Sequence, residues 1–142
     1  MRYAYPARLR RDETGRVVVS FPDVPEALTD GADEREALRE AADALAAALG
    51  GYVAEGRPIP PPGWSGQGPW VPVPALVAAK LALYEAMREQ GISKSELARR
   101  LVVSETVVRR LVDPDHASRI EKLQEALAVL GRQLVVGVED AA

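Results

Sequence analysis

The stretch SKSELARRLVVSETVVRRL, Ser93 to Leu111, decides the fold of the C-terminal half. Ser93 with Glu96 reads as a capping box that opens one helix, and Ser104 reads as the N-cap of a second after the three-residue break Leu101-Val102-Val103. Leu97, Ala98, Leu101, Val103, Val108 and Leu111 fall where such a pair would bury against each other and against a preceding helix. Two short helices joined by a tight turn have the spacing of a helix-turn-helix, whose second helix enters a DNA major groove. The outward residues Lys94, Ser104, Glu105, Thr106, Arg109 and Arg110 are therefore candidate DNA contacts.

Helical spacing continues on both sides. One helix is expected from about Val77 to Gln90, and another at Ser118, with Glu121 as its capping-box partner. Arg119, in the first turn of that last helix, suits a phosphate and completes the candidate set. The resulting four-helix order resembles the phage-repressor class of helix-turn-helix domains. Two residues depart from that pattern. Val102 stands near the place where a glycine usually takes a left-handed backbone, which strains a β-branched residue. Glu105 suits the helix dipole and repels phosphate, although it can accept a hydrogen bond from cytosine.

The 142 residues have an ordinary globular composition and no cysteine, which excludes disulfides, thiolate metal sites and cysteine nucleophiles. His116 is the sole histidine, in the loop Asp113-Pro114-Asp115-His116-Ala117, with no serine nucleophile or metal-ligand pattern beside it. It reads as a loop or phosphate-contacting residue. No metal and no cofactor is expected. No signal peptide or membrane-spanning run is evident, so the expected location is cytoplasmic, away from any membrane. The net charge of −3 is unevenly placed: up to Pro74 eight basic residues face eleven acidic ones, while the remainder is neutral and locally basic around the helix pair. An acidic half beside a locally basic one suggests two partners.

Gly56 to Pro74 holds seven of the eleven prolines and both tryptophans, and it reads as a semi-rigid joint. Trp64 and Trp70 are too apolar for a solvated linker, and Val71 and Val73, alternating with Pro72 and Pro74, suit an extended edge segment. Before the joint, Tyr3, Tyr5, Ala7 and Leu9 alternate with polar or small residues. Val17, Val19 and Phe21 repeat the pattern after the turn Asp12-Glu13-Thr14-Gly15, which together predicts a β-hairpin. A short third strand is expected over Ala27 to Thr29. A helix follows, capped by Asp33 with Glu36 and striped by Leu38, Ala41, Ala42, Leu45, Leu49, Tyr52 and Val53, with Gly50-Gly51 expected to stop it near Leu49.

The run YPARLRRDETGRVVVSFPDVPEALTDGADEREALREAADALAAAL (Tyr5 to Leu49), followed by GRPIPPP, resembles the N-terminal domain of HicB-family antitoxins, in which a strand ending in an FPD motif and a proline precedes a helix start. The part from about Lys80 through LVDPDHASRIEKLQEALAVLGRQLVV resembles the DNA-binding domain of one branch of that family. Glu26-Ala27 departs from the glycine and cysteine common after that motif. The resemblance implies an α+β protein. Its N-terminal part would be a partial ribonuclease H-like sheet with one helix, and its C-terminal part an all-α helix-turn-helix domain ending in a short strand. The expected domains are 1–62 for toxin neutralisation, 63–74 as the joint with an edge strand, and 75–142 for DNA binding and dimerisation.

A ribonuclease-like layer invites a nuclease reading built on Asp23, Asp30, Asp33 and Glu36. Metal-assisted cleavage needs several acids converging on two cations, whereas these sit in turns and at a helix cap, and the layer lacks the remaining strands. No enzyme is expected. After Gly131, the segment Arg132 to Glu139 is rich in β-branched residues, and an isolated strand needs a partner. That partner is either the same strand of a second copy or the chain's own N-terminal sheet, and the first gives a homodimer or a higher homo-oligomer. The implied partners are then a HicA-type mRNA-cleaving toxin, operator DNA and a second copy. A stand-alone regulator whose N-terminal domain senses a ligand has the same layout, and a neighbouring reading frame for a short basic toxin tells the two apart.

Overall fold

Asp12 makes the first turn. Its carboxylate accepts hydrogen bonds from the Thr14 amide at 2.9 Å, the Thr14 hydroxyl at 2.7 Å and the Arg16 amide at 3.0 Å, and Gly15 takes the left-handed backbone the turn requires. In the computed structural model of this chain, which describes residues 2–141, this turn joins strand β2 (Arg8–Arg11) to β3 (Val17–Ser20). β3 pairs on its other side with β4 (Leu28–Gly31), one residue beyond the expected start of the third strand, and both ladders are antiparallel. Period-two alternation sends Val17 and Val19 inward.

The first strand is split. Ala4–Pro6 forms a separate strand, β1, whose partner is β5 (Trp70–Pro72) in the proline-rich stretch, in register Tyr5 to Val71. The break comes at Ala7, whose amide donates to Pro69 O at 2.8 Å. There the two backbones lie so close that a Cβ on Gly68 would stand 1.6 Å from Ala7 O. Pro72 tolerates its strand place because β5 pairs on one side only.

Helix α1 (Glu34–Ala54) covers the sheet through Ala37, Ala41, Leu45, Leu49 and Tyr52. Each fully buried leucine in that stripe contributes about 1.5–3 kcal/mol. Asp33 caps it by accepting from the Glu36 amide at 2.8 Å, and the Glu36 carboxylate reaches back to the Ala32 amide. The helix does not stop at Leu49. It runs through Gly50-Gly51 because Tyr52 is buried and its hydroxyl donates to Glu26 at 2.6 Å, and this tertiary gain outweighs the low helix propensity of two glycines.

Residues 1–75 form one compact unit and residues 76–142 another. The second holds α2 (Ala75–Gln90), which starts at the boundary, then α3 (Lys94–Leu101), α4 (Glu105–Val112) and α5 (Ile120–Val129). Its core gathers Leu81, Leu83, Leu97, Val108, Leu111, Leu123 and Leu127. Leu101 is only half-buried, and Val103 lies outside this core with 39% of its surface exposed. After Gly131 the chain carries no strand pairing of its own among the described residues, and Val135, Val136 and Val138 are exposed. The strand expected there therefore does not form within a single chain.

Candidate nucleic-acid interface

Ser93 accepts from the Glu96 amide at 3.1 Å and Ser104 from the Val107 amide at 3.3 Å, so both helices of the pair start at the expected caps. Glu96 does not return to the Ser93 backbone. Its carboxylate binds Arg99 and Arg100 instead, first through the Arg99 hydrogen bonds and then that of Arg100, which hold its pKa down to about 2. Between the helices Val102 takes the left-handed conformation, φ 58°, ψ 47°, and is 89% exposed. Its amide and that of Val103 reach back to Arg99 O and Ala98 O, which closes the end of α3 as a glycine would.

On α4 the buried residues are Val108, Leu111 and Val112. At 100° per residue Thr106 and Arg110 lie one above the other on the opposite face, with Val107 and Arg109 on its flanks. Glu105 accepts a hydrogen bond from the Ser95 hydroxyl at 3.1 Å and pairs with Arg109 at 3.4 Å, so part of the charge that would repel phosphate is neutralised within the chain. Lys94 opens α3 and is exposed. Among the described residues Lys94, Arg110 and Arg119 are in no ion pair, whereas Arg99, Arg100, Arg109 and Lys122 each have a carboxylate partner.

The last helix starts differently from the capping-box expectation. Arg119 is the N-cap of α5 and, having no acceptor, makes no side-chain capping bond, while the Ser118 hydroxyl one residue earlier accepts from Lys80 and donates to Arg110 O. Arg119 remains exposed at the helix start, and the neighbouring loop is closed by Asp113, which accepts from the Asp115 amide, with His116 outside. Val103, expected in the core, and Val107, outside the expected core set, are each 39% exposed. Apolar side chains at such a place suit thymine methyl groups.

The carboxylates weighed for metal chemistry are occupied elsewhere. Asp23 accepts from the Trp64 amide, Asp30 pairs with Arg16 at 3.0 Å, and Asp33 and Glu36 cap α1. Among the described residues no group of three or more acids and histidines is placed to hold a metal ion, and no helix is long and apolar enough to cross a membrane. The tryptophans do pack on neighbours: Arg8 lies over Trp64 and Arg2 over Trp70, at 5.4 and 5.5 Å from the ring centres.

Residues 4–82 match the family model described as the HicB-like antitoxin of bacterial toxin-antitoxin systems. Over 130 residues the chain is 42% identical to Antitoxin HicB 2 of Photorhabdus laumondii, covering 92% of each chain. It is 42% identical over 132 residues to Antitoxin HicB of Pseudomonas fluorescens, and 37% identical over 131 residues to Antitoxin HicB of Escherichia coli K12. Those alignments cover 92% of this chain and 90% and 95% of the two relatives. With an α+β fold of small sheets and one helix followed by four helices, and no enzyme among these relatives, the chain belongs to the HicB-like antitoxin family.

Proposed function

We propose that this chain neutralises a HicA-type mRNA-cleaving toxin with its N-terminal unit and represses its own operon, in the cytoplasm, by binding operator DNA with its C-terminal helices. The observation that carries the DNA half is the exposed line of Thr106 and Arg110 on α4, an N-capped helix set after a three-residue turn, with Lys94 and Arg119 at neighbouring helix starts. We read this as a helix-turn-helix surface in which α4 offers base contacts through Thr106 and phosphate contacts through its arginines, and the adjoining helix starts offer phosphate contacts. A two-fold operator calls for a two-fold protein, and the exposed valines of Arg132 to Glu139 supply a strand that two copies can exchange.

The test is a salt titration of binding to the chain's own upstream DNA by the wild type and the triple variant R109A/R110A/R119A. The variant should bind more weakly and its dependence of log affinity on log salt should be shallower by about two to three. Its neutralisation of the toxin in an mRNA-cleavage assay should be unchanged. Equal affinity and equal slope reject the assignment of these arginines.

A further inference from the structure

One charged residue of the C-terminal unit lies in its core. Lys80, in the middle of α2, is completely buried, and its ammonium donates to Arg110 O at 2.7 Å, Leu111 O at 3.2 Å and the Ser118 hydroxyl at 2.8 Å. An ammonium has three donors, and all three are used. The two carbonyls belong to the last turn of α4, where C=O groups lack helical partners and form the negative end of the helix dipole. Burial lowers the Lys80 pKa from its ordinary value, and the charge of Asp113, just past α4, opposes that shift.

We propose that Lys80 is the positioning residue of the DNA-contacting surface: its one buried ammonium fixes the end of α4 that carries Arg110 against the start of α5 that carries Arg119. This rests on the DNA-binding reading above. The bond to Arg110 uses only its carbonyl, so the guanidinium stays exposed. Ser118, one residue before the N-cap of α5, accepts from the ammonium and donates its own hydroxyl to Arg110 O at 3.5 Å, and α5 starts without a side-chain cap. The Ser118 hydroxyl thus serves as a tie between the two segments. An apolar residue at position 80 fills the same space and removes the ammonium that joins the end of α4 to Ser118, leaving only the long bond from the Ser118 hydroxyl to Arg110 O, 3.5 Å, between these polar groups.

The experiment uses the full chain with K80M, whose side chain has similar length and no charge. Circular dichroism with thermal unfolding gives the temperature range in which the variant is folded, and fluorescence anisotropy within that range gives affinity and salt slope for the upstream DNA. Affinity should fall by about tenfold and the slope should lose about one, because Arg110 and Arg119 no longer engage phosphates together. Toxin neutralisation should be unchanged. A role in stability alone lowers the melting temperature and moves neither the affinity nor the slope of the folded protein, and that result overturns the proposal. Should K80M fail to fold, S118A cuts both bonds of the Ser118 hydroxyl and leaves the ammonium on the α4 carbonyls. A smaller loss of affinity with a reduced slope supports the proposal, and wild-type values overturn it. A wild type without salt-dependent preference for the upstream DNA overturns the DNA reading and this inference together, whereas a binding wild type beside an unaffected folded variant overturns the inference alone.

Discussion

Val102 carries backbone strain with no packing to offset it. A β-branched residue in the left-handed region costs about 1–2 kcal/mol, and this side chain is 89% exposed. Val102→Gly should therefore raise stability by about 1 kcal/mol in urea unfolding, the relief of strain exceeding the added freedom of the unfolded chain. An unchanged or lower midpoint would mean that the turn is not strained. Glu96 permits a second prediction. Its hydrogen bonds to Arg99 and Arg100 hold its folded pKa at about 2, below the ordinary 4.5, so its contribution to stability is present above pH 4.5 and is lost as pH falls toward 2. The stability gap between wild type and E96Q should be constant from pH 5 to 7 and close between pH 4.5 and 2, and a gap independent of pH would rule out the ion pairs as its source.

Most helices were legible in the sequence because their start signals are local. Asp33, Ser93 and Ser104 cap within three residues of themselves, and no tertiary partner competes for their side chains. Ser118 offers the same signal, but its hydroxyl bonds to Lys80 and to Arg110 O, partners outside the helix it precedes. The split of the first strand was illegible for a related reason, since Ala7 alternates correctly with Tyr5 and Leu9 and only the approach of Gly68 breaks the ladder. Of the candidate DNA residues, Thr106 and Arg110 follow from helix periodicity, while the pairing of Glu105 with Arg109 needed the folded geometry. Two glycines give opposite predictions. Gly68→Ala drives a methyl into Ala7 O and should cost about 2–3 kcal/mol, whereas Gly51→Ala, inside α1 with open space around it, should add about 0.5–1 kcal/mol. Chemical denaturation of the full chain measures both, and the same sign for the two would contradict the close approach at Gly68.

At the scale of the whole molecule, the proline-rich stretch belongs to the first unit, because β5 is the pairing partner of β1 and Val71 and Val73 are buried there. A fragment of residues 1–75 should accordingly unfold cooperatively and neutralise the toxin. One cut after residue 62 loses β5 and should show a lower melting temperature and weaker neutralisation. Comparable melting of the two fragments would show that β5 is dispensable. The pairing of β1 with β5 also has a kinetic side. Residues 4–6 are synthesised more than sixty residues ahead of their partners 70–72, an interval of roughly 3–13 s at a translation rate of about 5–20 residues per second. Closure of so long a loop is slow to reward, since its entropy is lost before any of its hydrogen bonds form. A nascent chain short of Pro72 thus holds Ala4–Pro6 without its pairing partner, an open edge able to bind another growing chain, and the first unit matures only after its proline-rich stretch has been made.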